Sequence, residues 1–547
     1  MLFMKKVNYF NTFDGNSYGI FNFKDSLENR HQVLEKGSVV KKVHKFSSLI
    51  SNANVIVLGT GLKECILSGL LSVSGKKVLH LDRNELSISK KLCHTVHTCE
   101  MDKSIRGRGY EREGGVRNLK IFLTKKKHID LCPKFIMGCE NLVKMLLHTK
   151  VTRYLEFRHV DGSYVFKDGK LFEVNKKICV QYLNPFFFFE LFFKKKLFKK
   201  LNLIFENFFF LMVPMTPTAA LSSSLMGFLQ KRKYKAFLQW VLDVEPNDSK
   251  TWGKIDLKKT TMRDIYSYFG CDENTQAFTG HAVALYTDDS YMDDPNEVAP
   301  CIERLKLYAF SLNRFEKSPY IYPMWGLGGL PEGFSRLAAV HGGVYMLRRE
   351  IVEIHYDDKG YVTGVTAKHE GKIEGTAKCK YLIADPSYFV GTDRIKKTGS
   401  VARWLCILDH PVQGTGTAQS AQIILPCKQT GHKSDIYISV MSSALSVAPK
   451  DRYLAMISSQ VYTNNPKKEL APAYQLLGKV VKDFFLVNDT YDSAKEVGTD
   501  GVFICSSMDA TTHFQAASRE VMSMFKTLTG KEVDLTENLE AIDQQQS

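Results

Sequence analysis

A glycine-rich turn is the part of this sequence whose residue types and spacing are best suited to chemistry. Gly59 and Gly61 follow the apolar run VIVL, and Asp82 lies about twenty residues further on. This spacing is typical of a dinucleotide-binding turn, in which the second glycine admits the pyrophosphate and the acid binds the ribose. Glu64 stands where the third glycine is expected.

A glutamate at that position opposes a bound pyrophosphate. Two like charges about 4 Å apart cost on the order of 4 kcal/mol at an effective dielectric constant of 20. We therefore expect a dinucleotide-type fold that excludes its ligand. An oxidoreductase that tolerates Glu64 by shifting the helix is the alternative from this motif alone.

The sequence gives only weak evidence for a metal site or a catalytic site elsewhere. Cys93, His94, His97 and Cys99 superficially indicate zinc, but structural zinc sites usually take two spaced pairs of ligands, so we predict no metal site. No arrangement of a nucleophile and a base is evident. The 12 cysteines are scattered and no secretory leader is recognisable, which favours reduced thiols and a cytoplasmic location.

The elements that position the glycine turn can be read from the hydrophobic pattern. Residues Asn54 to Asn84 predict a buried strand, a turn, a helix and a second strand that ends at Asp82, the first β-α-β unit of a doubly wound sheet. Residues Cys132 to Phe157 predict a helix with Phe135, Cys139, Leu142 and Leu146 on one face.

The rest of the chain is predicted to add helices and then further strands. Residues 215–315 are mostly helical by pattern, and from about Val344 strand-like runs such as YLIADPSYF and AQIILP indicate that the sheet resumes. The predicted fold class is α/β plus α: a discontinuous, doubly wound sheet domain with an inserted helical domain.

Nearly all of the net charge of +16 falls in residues 1–51, 85–128 and 175–212, which lack clean periodicity. The charge is therefore weak evidence for a partner, and we expect no nucleic acid. Residues Asn175 to Met212 are rich in Phe, but lysines interrupt them before the roughly 20 apolar residues that a membrane span needs. We favour a retained intron or an error in the gene model; a disordered surface insertion is the alternative.

Several ordered blocks carry a family resemblance. GTGLKECILSGLLSVSGKKVLHLDRN, CPKFIMGCENLVKMLLHTKVTRYLEF, FTGHAVALY and KSPYIYPMWGLGGLPEGFSRLAAVHGGVYML resemble Rab GDP dissociation inhibitors, in which a glutamate also follows G-T-G-L-x. The likeness covers Asn54 to Asn84 and Cys132 to the C-terminus, apart from the Phe-rich segment. If Val174 is joined directly to about Pro214, the resemblance to the family continues across the join.

The resemblance implies a flavoprotein-like fold of the FAD/NAD(P) type without flavin. It implies a carrier, not an enzyme, that binds GDP-bound geranylgeranylated Rab GTPases, slows GDP release, associates transiently with membranes and otherwise stays in the cytoplasm. The domains it implies are an N-terminal extension (1–51), a sheet domain that carries the Rab-binding platform (52–131 and 316–530), a largely helical domain with a prenyl pocket (132–315) and a tail (531–547).

The resemblance implies a role for each residue that occupies a functional position in the family's motifs. Arg336 and Met346 match platform residues of the family, whereas Gly329 replaces a platform carboxylate and Val344 replaces a threonine. The family's Y-Y-G-G stretch should follow LDRN, but residue 85 begins ELSISKKLCHT, so a platform tyrosine is missing. Arg314 and Tyr320 match a mobile loop that the family uses near membranes.

The prenyl pocket of the family lies in the helical domain. A twenty-carbon chain in water costs about 0.8 kcal/mol for each exposed CH₂, so a carrier must offer an apolar slot. The resemblance implies these lining residues: Phe135, Leu142, Met145, Leu146 and Tyr154.

Three alternatives remain from the sequence. A Rab escort protein would present Rab to a geranylgeranyltransferase, a flavin oxidoreductase would carry bound flavin, and a degenerate product would have no activity.

Overall fold

The fold is described from a computed structural model, which describes residues 53–84, 93–94, 129–174, 228–315, 318–533 and 535. The strands are β1 Val55–Leu58, β2 Val78–Leu81, β3 Cys93–His94, β4 Ile129–Asp130, β5 Ile136–Met137, β6 Phe157–His159, β7 Gly162–Lys167, β8 Lys170–Glu173, β9 Tyr320–Pro323, β10 Val344–Met346, β11 Glu350–Tyr356, β12 Val362–His369, β13 Lys372–Lys378, β14 Tyr381–Ala384, β15 Ile395–Leu408, β16 Ser420–Leu425, β17 Ile436–Ser442, β18 Tyr453–Gln460, β19 Lys482–Ser493 and β20 Val502–Ile504. The helices are α1 Leu62–Val73, α2 Asn141–His148, α3 Phe228–Asp243, α4 Met262–Phe269, α5 Glu273–Ala277, α6 Val298–Arg314, α7 Gly329–Val340, α8 Cys427–Thr430, α9 Pro466–Glu469, α10 Ala471–Leu476 and α11 Gln515–Thr529.

The predicted β-α-β unit is present as β1, α1 and β2. Both strands are buried along their whole length, and they pair in parallel because α1 carries the chain back across the sheet. The complete sheet has the order β10-β2-β1-β14-β20, with parallel neighbours throughout. Strands from distant parts of the chain therefore flank the β1–β2 pair, which confirms a discontinuous sheet of the predicted class.

The two faces of this parallel sheet are covered differently. On one face, α1 packs against α7 and α11, and Gly69 lets the Phe334 ring approach α1 closely. On the other face, the apolar residues of β1 and β2 share a core with the three-stranded antiparallel sheet β11-β12-β13. The parallel sheet is thus buried on both sides, as its continuous apolar strands require.

The prediction that the late strands continue this sheet is wrong for most of them. Only β10, β14 and β20 join it; β15 to β19 form a separate seven-stranded sheet with β7 and β8, in the order β19-β15-β18-β17-β16-β7-β8. Most pairs in it are antiparallel, which short connections allow, whereas each parallel neighbour needs a long crossover. Strands β7 and β8 also place sheet structure inside the segment expected to be largely helical.

The prediction of a helix from Cys132 to Phe157 is also wrong. The segment forms β5, then the shorter helix α2, then a 3₁₀ turn at Val151–Tyr154. Ile136 pairs with Ile321 of β9, and the amide of Phe135 donates to the carbonyl of Thr512. These tertiary hydrogen bonds replace the intrahelical ones, so the helical spacing of apolar residues did not decide the local structure.

The helical prediction for 215–315 is confirmed over the residues that the structure describes there. Helices α3, α4 and α6 and a π-helical turn at Phe278–Val283 enclose buried aromatic side chains. Thr261 and Asp264 form a reciprocal capping box at the start of α4, and Gly270 ends that helix with φ +66°. No helix among the described residues is both long and apolar enough to cross a membrane.

A buried ion pair joins the two ends of the discontinuous sheet domain. The Nζ atom of Lys63 on α1 lies 2.6 Å from the carboxylate of Glu520 on α11, and it also donates to Ser506. The Lys63 side chain is only 4% exposed, so its charge depends on this partner.

We predict that Glu520→Ala lowers the free energy of unfolding by about 3 kcal/mol, because it leaves a buried ammonium group without its carboxylate. Urea unfolding followed by circular dichroism measures the change. Glu532→Ala, which removes the exposed partner of Lys526, is the matched control and should change stability very little. Equal effects of the two variants would contradict a stabilising role for the buried pair.

Candidate functional site

The glycine turn between β1 and α1 is closely packed. Gly59 has φ +97°, and a Cβ atom there would lie 3.2 Å from Cβ of Asp385 and 3.3 Å from the Tyr388 ring. Glycine is therefore required at this position for both its backbone conformation and the close approach of its neighbours.

The Glu64 side chain folds back over this turn. A Cβ atom built on Gly61 would lie 2.2 Å from Oε2 of Glu64, so the carboxylate fills the space that a phosphate would need beside the second glycine. Glu64 is only 3% exposed. Its burial, together with the nearby charge of Asp385, raises the pKa of this carboxyl group to about 7.

The Asp82 carboxylate is also used within the protein. One oxygen accepts hydrogen bonds from the amide and the hydroxyl of Thr60, at 2.8 and 2.7 Å, and the other accepts two from Asn84. In a dinucleotide site this acid binds the ribose. With Glu64 over Gly61 and Asp82 engaged inside the protein, the residues present do not fit a dinucleotide.

A second feature is a surface that we call the platform face, formed by Tyr154 to Glu156, Met324, Trp325, Gly329 and Arg336. Its exposed residues are Tyr154, Glu156, Trp325 and Arg336. The Arg336 guanidinium on α7 lies 4.5 Å from the centroid of the Tyr154 ring. A Cβ atom on Gly329 would lie 2.8 Å from Leu155, and the amide of Met324 donates to the carbonyl of Glu156. These contacts make one continuous surface.

This arrangement changes the assignment of two predicted residues. Tyr154 was predicted to line the prenyl pocket, but it is 45% exposed and supports Arg336. Gly329, noted for its missing carboxylate, lies where α7 meets Leu155, so the glycine allows close packing there. Arg336 itself is exposed.

Sequence reasoning missed Trp325. Its side chain is 60% exposed, and its backbone adopts a left-handed conformation with φ +72°. A bulky residue in that region is strained, typically by about 1–3 kcal/mol, and such strain often accompanies function. The only signal in the sequence is a tryptophan followed by glycine after a strand-like run, which resembles an ordinary turn.

Val344 and Met346 lie on β10, the edge strand of the parallel sheet, where Met346 pairs with Leu81. Both side chains are half-buried against the core beneath β11 to β13. The carbonyl of Met346 accepts a hydrogen bond from the amide of Asp82, which ties this edge to the end of β2. Residues 85–92, where the missing tyrosine stretch was expected, lie outside the described residues.

An open groove of about 760 Å³ lies beside this edge. Arg83 stacks over Tyr388, and Arg394 stacks over Tyr356 and pairs with Asp500 at 2.6 Å. The groove follows the carboxyl ends of β2 and β14, which is the usual location of ligands in open parallel sheets. Its walls carry both signs of charge, so it is not a simple anion site.

The prediction that Tyr320 belongs to a mobile loop is wrong. Tyr320 starts β9 and is fully buried, in contact with the rings of Phe135 and Tyr308, and cannot reach a membrane from that position. Motif position alone does not reveal that this residue is buried. Arg314 is exposed at the end of α6, where it donates to the carbonyl of Gly138.

The other candidates for the prenyl pocket are core residues in this structure. Their side chains are at most 1% exposed and belong to the main apolar cluster: Phe135, Leu142, Met145 and Leu146. A prenyl chain can therefore reach them only if the surrounding elements separate.

Of the cysteine and histidine group considered for zinc, Cys93 and His94 form β3, which pairs with β4. His97 and Cys99 lie outside the described residues.

Comparison with known proteins gives a consistent result. The family model "GDP dissociation inhibitor" matches residues 50–208 and 192–540, and the two matches overlap inside the Phe-rich segment. Guanosine nucleotide diphosphate dissociation inhibitor 1 of Arabidopsis thaliana is 41% identical over 488 residues, which is 89% of this chain and 97% of that protein. Rab GDP dissociation inhibitor beta of Rattus norvegicus is 41% identical over 485 residues, which is 88% of this chain and 96% of that protein.

A solved structure agrees with these relatives. The crystal structure of a Rab GDI from Plasmodium falciparum superposes with a TM-score of 0.69 at 35% identity, covering 88% of this chain and 99% of that chain.

We predict that Glu64→Gln raises the free energy of unfolding at pH 8 by about 3 kcal/mol. The native state keeps the Glu64 proton up to about pH 7, whereas the unfolded chain releases it near the ordinary glutamate pKa of 4.5. The stabilising contribution of this proton is therefore complete below pH 4.5 and is lost as the pH rises to about 7.

Urea unfolding from pH 5 to 8 measures this dependence. The glutamine variant should show a flatter curve than the unmodified protein, because its side chain is neutral at every pH. Glu332→Gln, at an exposed position on α7, should leave the curve unchanged. A pH dependence that persists in Glu64→Gln would show that another group is responsible.

Proposed function

The chain belongs to the GDP dissociation inhibitor family, and from that premise we propose that it binds GDP-bound, geranylgeranylated Rab GTPases, slows their release of GDP and carries them between membranes and the cytoplasm. The structural observation that supports this most directly is the platform face, where Arg336 and Trp325 are both exposed.

Arg336 is well placed for recognition. Its guanidinium is supported by the Tyr154 ring, so less side-chain freedom is lost when a partner binds. The opposite group on the GTPase switch region would be a carboxylate or a carbonyl oxygen, both of which arginine binds through several N–H donors. Arginine and tryptophan are the residue types most enriched at the energetic centre of protein interfaces.

Two positions weaken the interface compared with the family pattern. Gly329 offers no carboxylate, and Val344 offers no hydroxyl group. The half-buried Met346 still supplies a flexible apolar contact at the sheet edge. We therefore infer that Arg336 and Trp325 carry a larger share of the binding energy in this protein.

The lipid requires a second site. Because the predicted lining residues Phe135, Leu142, Met145 and Leu146 are buried, we propose that prenyl binding accompanies a separation of the elements around them. One Rab that uses both contacts gains from a high effective concentration at the second site, which favours extraction from a membrane. A partner that prefers the GDP-bound form must also disfavour loss of GDP, by linkage.

We propose that the protein acts without catalysis and without flavin. The regulatory family supports the first statement. The Glu64 carboxylate over Gly61 and the engaged Asp82 support the second.

We predict that Arg336→Ala and Trp325→Ala each weaken binding of GDP-loaded prenylated Rab by roughly 10- to 100-fold, as expected when a central interface residue is removed. The measurements are extraction of the GTPase from liposomes and the release rate of a fluorescent GDP analogue. Lys397→Ala removes an exposed cation on β15 and should behave like the unmodified protein.

Failure of the folded, unmodified protein to extract Rab would reject the carrier function. Extraction that is unaffected by either variant would reject only the platform face. Tight binding of unprenylated Rab together with a geranylgeranyltransferase would favour an escort protein instead.

We predict that the purified protein has no absorbance near 450 nm and releases no flavin on denaturation, also after expression with excess riboflavin. The variant Glu64→Gly vacates the space over Gly61 and therefore tests whether the Glu64 side chain is what excludes flavin. Stoichiometric flavin in the unmodified protein would contradict the argument from Glu64 and favour an oxidoreductase.

A further inference from the structure

A cluster of donor groups lies where the helical region meets the seven-stranded sheet. His281 belongs to the π-helical turn Phe278–Val283, Cys427 begins α8, and Asp435 directly precedes β17. One ring nitrogen of His281, the Cys427 sulfur and one Asp435 oxygen all lie within 4.8 Å of one another. His281 and Asp435 are fully buried, and Cys427 is partly buried.

The carboxylate of Asp435 is held in place from several directions. Oδ2 lies 2.9 Å from Nδ1 of His281, and Oδ1 accepts a hydrogen bond from the amide of Cys427 at 2.9 Å. The backbone amide of Asp435 donates to the carbonyl of Thr287 at 3.0 Å. The backbone contacts that orient Asp435 therefore also bring Cys427 to the cluster.

The other ring nitrogen of His281 has a separate partner. Nε2 lies 3.2 Å from a carboxylate oxygen of Asp289, whose second oxygen pairs with Lys428 at 2.8 Å. A carboxylate on the outer nitrogen is the usual partner of a metal-binding histidine, because it fixes the ring and leaves the inner nitrogen for the metal.

The donor set selects the kind of metal. One imidazole nitrogen, one thiolate and one carboxylate suit Zn²⁺, which binds such ligands at roughly 2.0–2.3 Å in tetrahedral geometry. Ligand atoms around one such ion lie roughly 3.3–3.8 Å apart, so donor atoms within 4.8 Å of one another must move by up to about 1 Å to bind it. The carbonyl oxygen of Tyr286 lies 3.3 Å from Nδ1 of His281.

We propose that His281, Cys427 and Asp435 form a zinc site, with the Tyr286 carbonyl or a water as fourth ligand and Asp289 orienting the histidine. The metal would connect the helical region to the seven-stranded sheet, because its ligands come from both. Zinc would take the place of the direct hydrogen bond between His281 and Asp435.

A direct contact of His281 competes with the metal for this position. Nδ1 lies 2.9 Å from Asp435 and Nε2 lies 3.2 Å from Asp289. Without metal, His281 therefore bridges two carboxylates. Cys427 would be a ligand only in the metal-bound state. A substitution at Cys427 therefore distinguishes the two states.

Substitution with cobalt tests the site in the full-length protein. The metal-free chain should bind one equivalent of Co²⁺ and develop a thiolate-to-cobalt charge-transfer band, which one equivalent of Zn²⁺ then removes. Cys427→Ser should abolish this band and weaken zinc binding at least 10-fold. Asp289→Asn should keep the band but weaken binding roughly 10- to 100-fold, as loss of an outer partner does.

Control variants separate this site from other thiols. Cys132→Ser and the double variant Cys93→Ser, Cys99→Ser should both retain the band, because neither removes a proposed ligand. Circular dichroism of each variant verifies that it is folded. Absence of the band in the folded, unmodified protein, or its persistence in Cys427→Ser, would overturn the proposal and leave His281 as a hydrogen-bonded bridge between Asp289 and Asp435.

Discussion

At the end of β1, the protein fills its own ligand site. The Glu64 carboxylate lies over Gly61, while Asp82 accepts hydrogen bonds from Thr60 and Asn84. The backbone therefore keeps the geometry of a dinucleotide turn, but its polar groups are used to hold β1, α1 and β2 together. The cost of this arrangement is a buried carboxyl group that gives up its proton only near neutral pH.

This internal use of the turn has a consequence for the rest of the molecule. The turn at the centre of the parallel sheet is filled by the protein's own side chains, whereas the exposed surfaces described above lie at the edges of that sheet. The platform face combines the turn after α2, the turn after β9 and helix α7, whereas Met346 lies on the edge strand β10. These segments meet only because the chain leaves the sheet after β2 and returns to it at β10.

Buried charged groups stabilise the contacts between these distant segments. Lys63 pairs with Glu520, Lys134 pairs with Asp509, and His281 bridges Asp289 and Asp435. Except for the contact between His281 and Asp289, each pair joins parts of the chain that lie far apart in sequence.

The sequence by itself determined the first β-α-β unit and the helical nature of 215–315 in its described part. It also determined that Glu64 opposes a bound pyrophosphate. These features depend on local periodicity and on residues close in the chain. Only the tertiary structure decided that Ile136 forms a strand, that Tyr320 is buried, that Tyr154 supports Arg336 and that most late strands form a second sheet. Partners such as His281 and Asp435 lie 154 residues apart, and no local pattern encodes which distant segment will satisfy a buried polar group or cover an apolar side chain.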